Sequence, residues 1–164
     1  MAAESRVITR SWQRWFVISA LVIVLDQLTK YWVSQSLAPG ESVLVTPFFN
    51  LVLTYNTGAA FSFLSRASGW QRGFFILIAV LASLLIIYLI RRFHLQKRFS
   101  IGLSLILGGA LGNLWDRIVL GHVVDFLDFY LQAYHWPAFN VADSAITCGV
   151  ALLIWDSFSK RSAR

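Results

Sequence analysis

The sequence predicts a mainly α membrane protein with four transmembrane helices and a small external β-sheet between the first and second. Three observations point there. Hydrophobic residues make up 57% of the 164 and charged residues 13%, with a mean hydropathy of +0.64; a soluble domain is about 45–50% apolar and about 25% charged. Four apolar stretches approach the length of about 20 residues that a helix needs to cross hydrocarbon. Between the first two stretches lies a segment rich in Val, Thr, Phe and Tyr with partial alternation. The length suits a single membrane domain, residues 1–164.

The first span covers about residues 15–33. Its basic leader, apolar stretch and Ser36-Leu37-Ala38 give it some likeness to a signal peptide. Asp26 and Lys30 interrupt the stretch, and its length suits a full span, so it is expected to remain as a helix. The external segment, about residues 40–66, is punctuated by Pro39-Gly40 and Thr46-Pro47. Leu51, Leu53 and Tyr55 fall on one face and Asn50, Val52 and Thr54 on the other, which predicts two or three short strands. "SRASGWQRGFF" reads as a surface loop or short amphipathic piece, with Trp70 at the membrane interface. The second span covers about residues 74–90 and the third about 101–115. The third is short and carries Gly102, Gly108, Gly109 and Gly112, which permit close helix approach and predict a buried central helix. The fourth covers about residues 141–158, with Asp156 expected at the interface beside Lys160.

Lysine and arginine set the orientation. Arg6, Arg10, Arg14, Arg91, Arg92, Lys97, Arg98, Lys160, Arg161 and Arg164 flank one side; Arg66, Arg72 and Arg117 flank the other. Both termini and the "RRFHLQKR" loop are therefore expected in the cytoplasm. The pI of 10.0 is a topology signal, and no nucleic-acid partner is expected. The single cysteine, Cys148, permits no disulfide within the chain and reads as a small packing residue. His94, His122 and His135 have no metal-ligand spacing, and no phosphate loop or serine-nucleophile motif is present. No metal or cofactor is expected.

This orientation gathers the polar residues at the outer interface. Asp26, Lys30, Asn113, Asp116, Arg117, Asn140 and Asp143 lie toward the outer ends of their spans; Asn56, Asp125 and Asp128 lie in external segments. An ionisable residue inside a membrane marks function by default, yet each has a plainer reading. Asp26 and Lys30, at i and i+4, can neutralise each other. Asp116 can partner Arg117, and Arg117 can bind a phosphate, a backbone carbonyl or a substrate. Asn140 can cap the fourth helix. Asp128 reads as a solvated loop residue or a cap. Asp125, set among Val and Phe in "HVVDFLDFY", and Asp143 remain. Two adjoining aspartates share a proton, so one can act as base on a water and the other as acid. Charge placement alone leaves two readings open, an aspartic peptidase and a proton-coupled transporter. A purely structural membrane subunit is a third.

Five stretches in order, "DQLTK", "NTGAAFS", "GNLWDR", "GHVVDF" and "FNVADS", resemble bacterial lipoprotein signal peptidase, also called signal peptidase II, across essentially the whole chain. The resemblance implies an inner-membrane aspartic endopeptidase with its site and sheet toward the periplasm. It implies prolipoprotein substrates cut just before a diacylglyceryl cysteine, with membrane lipid as a further partner. Asp125 and Asp143 match the catalytic dyad. Asn56, Gly58, Asn113, Arg117 and Asn140 match positions that line or support the site, and Asp26 and Lys30 match a supporting block. No catalytic role falls to Asp116 or Asp128. A monomer is expected, because a four-helix site can be complete in one chain.

Overall fold

The computed structural model describes residues 11–58 and 70–161, the side chains of 160 and 161 excepted. Arg6, Arg10, Arg66 and Arg164, the side chains of Lys160 and Arg161, and residues 59–66 of the expected β segment lie outside the described residues.

Among the described residues four long helices form, each longer than its predicted span: α1 Trp15–Ser36, α2 Trp70–Phe93, α3 Lys97–Val119 and α4 Val141–Arg161. The extensions are polar or aromatic at their ends, which hydropathy undercounts but backbone hydrogen bonding includes. Trp70 opens α2 rather than lying in a loop. Among the described residues, three helical stretches are long and apolar enough to cross a membrane: Trp15–Ser36, Trp70–Phe93 and Val141–Ser159. Helix α3 does not meet that measure. It is the central helix, packed against α1, α2 and α4, and buries Ser100, Ser104, Asn113 and Asp116 along with Leu103, Leu107 and Leu114. Large apolar side chains of the other helices, such as Leu21, Leu25, Leu77, Leu81 and Ile154, face outward.

The glycines of α3 set how closely its neighbours approach. A Cβ added at Gly108 would stand 2.7 Å from Val22 Cβ of α1, and one at Gly109 would overlap the Ala142 carbonyl of α4. This is small-residue packing of the kind found between membrane helices. An apolar core of Trp15, Ile86, Ile90, Leu103 and Leu107 fills one end of the bundle.

The sheet is larger than predicted and comes from two connections. Strands β1 Ser42–Thr46 and β2 Phe49–Asn56 follow α1; β3 Val123–Leu131 and β4 Tyr134–His135 follow α3. The order is β1-β2-β3-β4, antiparallel throughout. The placement of the whole sheet between the first two helices is thus corrected, since pairing to β3 joins segments about 70 residues apart, a distance that local alternation cannot register. The expected alternation in β2 also breaks, because its pairing shifts between Leu51 and Thr54. Leu53 is buried with Val33, Val124 and Phe126, a core that seats the sheet on the end of α1. Asn50 is buried too.

Candidate active site

A lysine buried beside two carboxylates anchors the site. Lys30 Nζ lies 2.8 Å from Asp26 Oδ2 and 2.8 Å from Asp116 Oδ2, and donates to Asn113 Oδ1 at 2.9 Å. All three charged residues are at most 3% exposed. Buried charges need such partners. Gln27 Nε2 adds donors to Asp116 Oδ1 at 2.9 Å and to Asp26 Oδ2 at 3.2 Å. Asp116 Oδ2 also accepts the Val124 N–H, 3.3 Å, which ties the start of β3 to α3. The i, i+4 pairing of Asp26 and Lys30 is present. A pairing of Asp116 with Arg117 is not: consecutive helical residues point about 100° apart, and Asp116 turns toward α1.

The start of α4 is fastened from two sides. Asn140 Oδ1 accepts the Asp143 N–H at 2.9 Å, and Asp143 Oδ2 accepts the Asn140 N–H at 3.3 Å. This reciprocal box satisfies N–H groups that the first helical turn leaves unpaired. Asp26 Oδ1 takes a further one, the Ala142 N–H at 2.9 Å. The same interlocking explains Gly112, where an added Cβ would stand 2.7 Å from Asp26 Oδ2.

On this frame stand the two aspartates. Asp143 Oδ1 accepts Asn113 Nδ2 at 2.8 Å. Asp125, on β3, accepts Asn140 Nδ2 on Oδ1 at 2.7 Å and Asn56 Nδ2 on Oδ2 at 3.1 Å. Asn140 therefore touches both carboxylates, and Asn113 links Asp143 to Lys30. Burial pushes the Asp125 carboxyl up to about 7, helped by the nearby charge of Asp143 and opposed by the amides of Asn56 and Asn140. Both aspartates line one cavity of about 620 Å³. Asn56, Asn113 and Arg117 also line it, as do Trp136, Pro137, Ala138 and Phe139, and Ser144, Ile146, Thr147 and Cys148 of α4. The Ser144 and Thr147 hydroxyls turn back to the Asn140 and Asp143 carbonyls, each at 2.9 Å, which leaves that part of the lining largely apolar. A protonated and an ionised carboxyl on the wall of one cavity can together polarise a carbonyl and activate a water.

Arg117 meets backbone carbonyls, one of the partners open to it. It donates Nη2 to Gly58 O at 3.0 Å and Nη1 to Asn113 O at 3.2 Å, and its guanidinium lies over the Phe75 ring, 5.3 Å from the centroid. Gly58 N–H in turn donates to Asn56 Oδ1 at 2.9 Å, so Arg117 and Gly58 orient the amide that reaches Asp125. Asn56, Gly58, Asn113, Arg117 and Asn140 thus join Asp125 and Asp143 to the Asp26–Lys30 pair in one network, and Asp128 stands outside it.

Some residues of the site are absent from the sequence reading, and others have a different role there. Gln27, which it does not name, and Asp116, which it gives to Arg117, complete the lysine cluster; the i, i+3 spacing of Asn113 and Asp116 is the signal that places them together. Cys148, read as a packing residue, is exposed on the cavity wall, and Ile146 and Thr147 follow Asp143 at helical spacing. The 136–139 wall carries no such signal. Asp128, read as a solvated loop residue or cap, is instead a buried strand residue bonded to Asn50 and His135. Asp156 is buried in α4.

A family model described as signal peptidase (SPase) II matches residues 18–159. The chain is 55% identical over 151 residues to a lipoprotein signal peptidase of Paraburkholderia phymatum, covering 92% of this chain and 91% of that protein. It is 56% identical, over the same shares, to a lipoprotein signal peptidase of Burkholderia mallei. Two solved structures of bacterial membrane enzymes, obtained by the in meso method, share the fold. One, at 2.3 Å resolution, has a TM-score of 0.83 and 33% identity over 93% of this chain and 92% of that one. The other, at 1.9 Å, has a TM-score of 0.78 and 34% identity over 88% and 92%. With matches that run from the first helix to the last, this chain belongs to the signal peptidase II family of proteases.

Proposed function

We propose that the chain is an aspartic endopeptidase of the bacterial inner membrane that removes the signal peptide of lipid-modified prolipoproteins, cutting just before the diacylglyceryl cysteine. The observation that carries this reading is a single cavity with Asp125 and Asp143 both on its wall, each carboxylate held by asparagine amides. Asp125, with its carboxyl near 7, carries the shared proton. Asp143, at the positive end of the α4 dipole, takes a proton from water as the water oxygen attacks the scissile carbonyl carbon. Asp125 gives its proton to the carbonyl oxygen. Collapse of the tetrahedral diol returns that hydroxyl proton to Asp125, while Asp143 passes its proton to the departing cysteine amine. The dyad ends as it began.

The chain acts as a monomer and one membrane domain. Helix α3 crosses as a fourth span, its polar groups shielded by α1, α2 and α4. The sheet and the dyad face the periplasm, where water is available, and both termini face the cytoplasm. Outward apolar side chains on α1, α2 and α4 support contact with lipid. Asn56, Gly58, Asn113, Arg117, Asn140, Asp26 and Lys30 position the dyad and substrate through the hydrogen bonds given above.

The test is cleavage of a diacylglyceryl-modified prolipoprotein by the purified protein. Asp125→Asn and Asp143→Asn are each expected to abolish it while the thermal unfolding midpoint stays near that of the parent. Cleavage retained by either variant removes that residue from the dyad.

A further inference from the structure

A further buried carboxylate lies outside the cavity. Asp128 on β3 is 6% exposed, and a buried carboxylate requires donors. Asn50, its cross-strand partner on β2, supplies Nδ2 at 2.9 Å. His135 on β4 supplies Nδ1, 2.9 Å from both carboxylate oxygens. The His135 ring also stacks on Tyr130, with centroids 5.0 Å apart and planes 15° apart. None of these side chains lines the cavity.

The residues that follow His135 do line it. Trp136 N–H donates to Phe129 O at 2.7 Å, and Phe139 N–H donates to Leu127 O at 3.1 Å. Three steps along this segment therefore match two steps along β3. The extra residue forms a bulge at Pro137-Ala138, where proline has no N–H to offer the strand. Such bulges re-aim side chains beside active sites. The far end of the bulge is held firmly. Phe139 O accepts from the Phe126 and Leu127 N–H groups at 3.0 and 2.8 Å, and its ring stacks on Phe129. At the near end β4 pairs with β3 through Tyr130–His135 and Leu131–Tyr134, the Trp136 N–H bonds Phe129 O, and the His135 side chain reaches across to Asp128.

We propose that His135 is a positioning residue: by donating Nδ1–H to the buried Asp128 carboxylate, it holds the Trp136–Phe139 bulge in place as the substrate-facing wall of the cavity. This rests on the peptidase reading. The dyad is fastened independently, through Asn56, Asn113 and Asn140. Loosening the bulge therefore weakens the grip on the substrate and leaves the chemistry intact.

The experiment is steady-state cleavage of a diacylglyceryl prolipoprotein by the full chain in lipid. For His135→Ala, KM is expected to rise about fivefold with kcat within about twofold of the parent, the signature of lost uniform binding. His135→Asn, whose amide can donate from nearly the position of Nδ1, is expected to restore KM. Trp136→Ala removes part of the wall and leaves the His135–Asp128 bond, so it is expected to raise KM alone and keeps the proposal testable if His135→Ala does not fold. Unchanged KM in His135→Ala overturns the proposal, and so does unchanged KM in Trp136→Ala. So does a joint fall in kcat and unfolding midpoint at constant KM, or equal impairment of His135→Ala and His135→Asn. A parent enzyme that leaves the substrate uncut overturns the peptidase reading, and this proposal with it.

Discussion

Asn140 Nδ2 donates to Asp125 Oδ1 at 2.7 Å, from a residue whose own Oδ1 caps the N–H of Asp143. One side chain thus sets the strand aspartate relative to the helix aspartate. Asn140→Ala removes both bonds. It is expected to lower kcat by about 100-fold or more, as misplacement of reacting groups does, and to cost about 1 kcal/mol of stability through the lost cap. Asn140→Ser keeps a capping oxygen but is too short to reach Asp125. It is expected to recover the unfolding midpoint and leave kcat low. Recovery of both together would show that capping, and not the bond to Asp125, is what catalysis needs.

The pH profile follows from Asp125. Its carboxyl stands near 7 in the folded chain against 3.8 for the ordinary group, so the rate is expected to decline as pH rises through about 7 and the acid is lost. The Asn56 amide stabilises the ionised form. Asn56→Ala is therefore expected to move the alkaline limb to higher pH. Stability carries the same sign: between 3.8 and about 7 the folded state holds a proton that the unfolded state releases, so the contribution of this group to folding falls as pH rises across that window. A limb unmoved in Asn56→Ala would assign it to another group.

Lys30→Met leaves Asp26 and Asp116 buried without their cation. Removal of one partner from a buried charge cluster costs about 3–5 kcal/mol, so a large drop in unfolding midpoint is expected in detergent. Adding Asp116→Asn to Lys30→Met is expected to recover part of it. Equal midpoints for parent and Lys30→Met would mean that the cluster holds nothing together.

Gly109→Ala is expected to impair cleavage, because the new methyl must displace the Ala142 carbonyl, one residue before Asp143. Gly73→Ala is the control. A Cβ there meets nothing within 4 Å, and neither kcat nor the unfolding midpoint is expected to change.

The helices were legible because each is a long apolar run, and helix formation in hydrocarbon depends only on the segment's own backbone bonds. Their ends were misjudged where aromatic and basic residues continue the helix past the apolar run, as at Trp70 and Phe93. The central position of α3 was legible from Gly102, Gly108, Gly109 and Gly112, since close approach leaves a compositional trace. The partners of its polar face were not. Asp116 stands beside Arg117 in the sequence but answers Lys30 of another helix.

By itself, the amino-acid order determined the apolar spans, the basic flanks and a set of polar residues too costly to bury without partners. These are local properties, carried by side-chain chemistry and spacing along one segment. Only the tertiary structure decided that β3 joins β2, that Asn140 spans Asp125 and Asp143, and that residues 136–139 close the cavity. Those relations join segments tens of residues apart, and hydrogen-bond geometry across such distances is set by packing, which leaves no periodic mark on either segment alone.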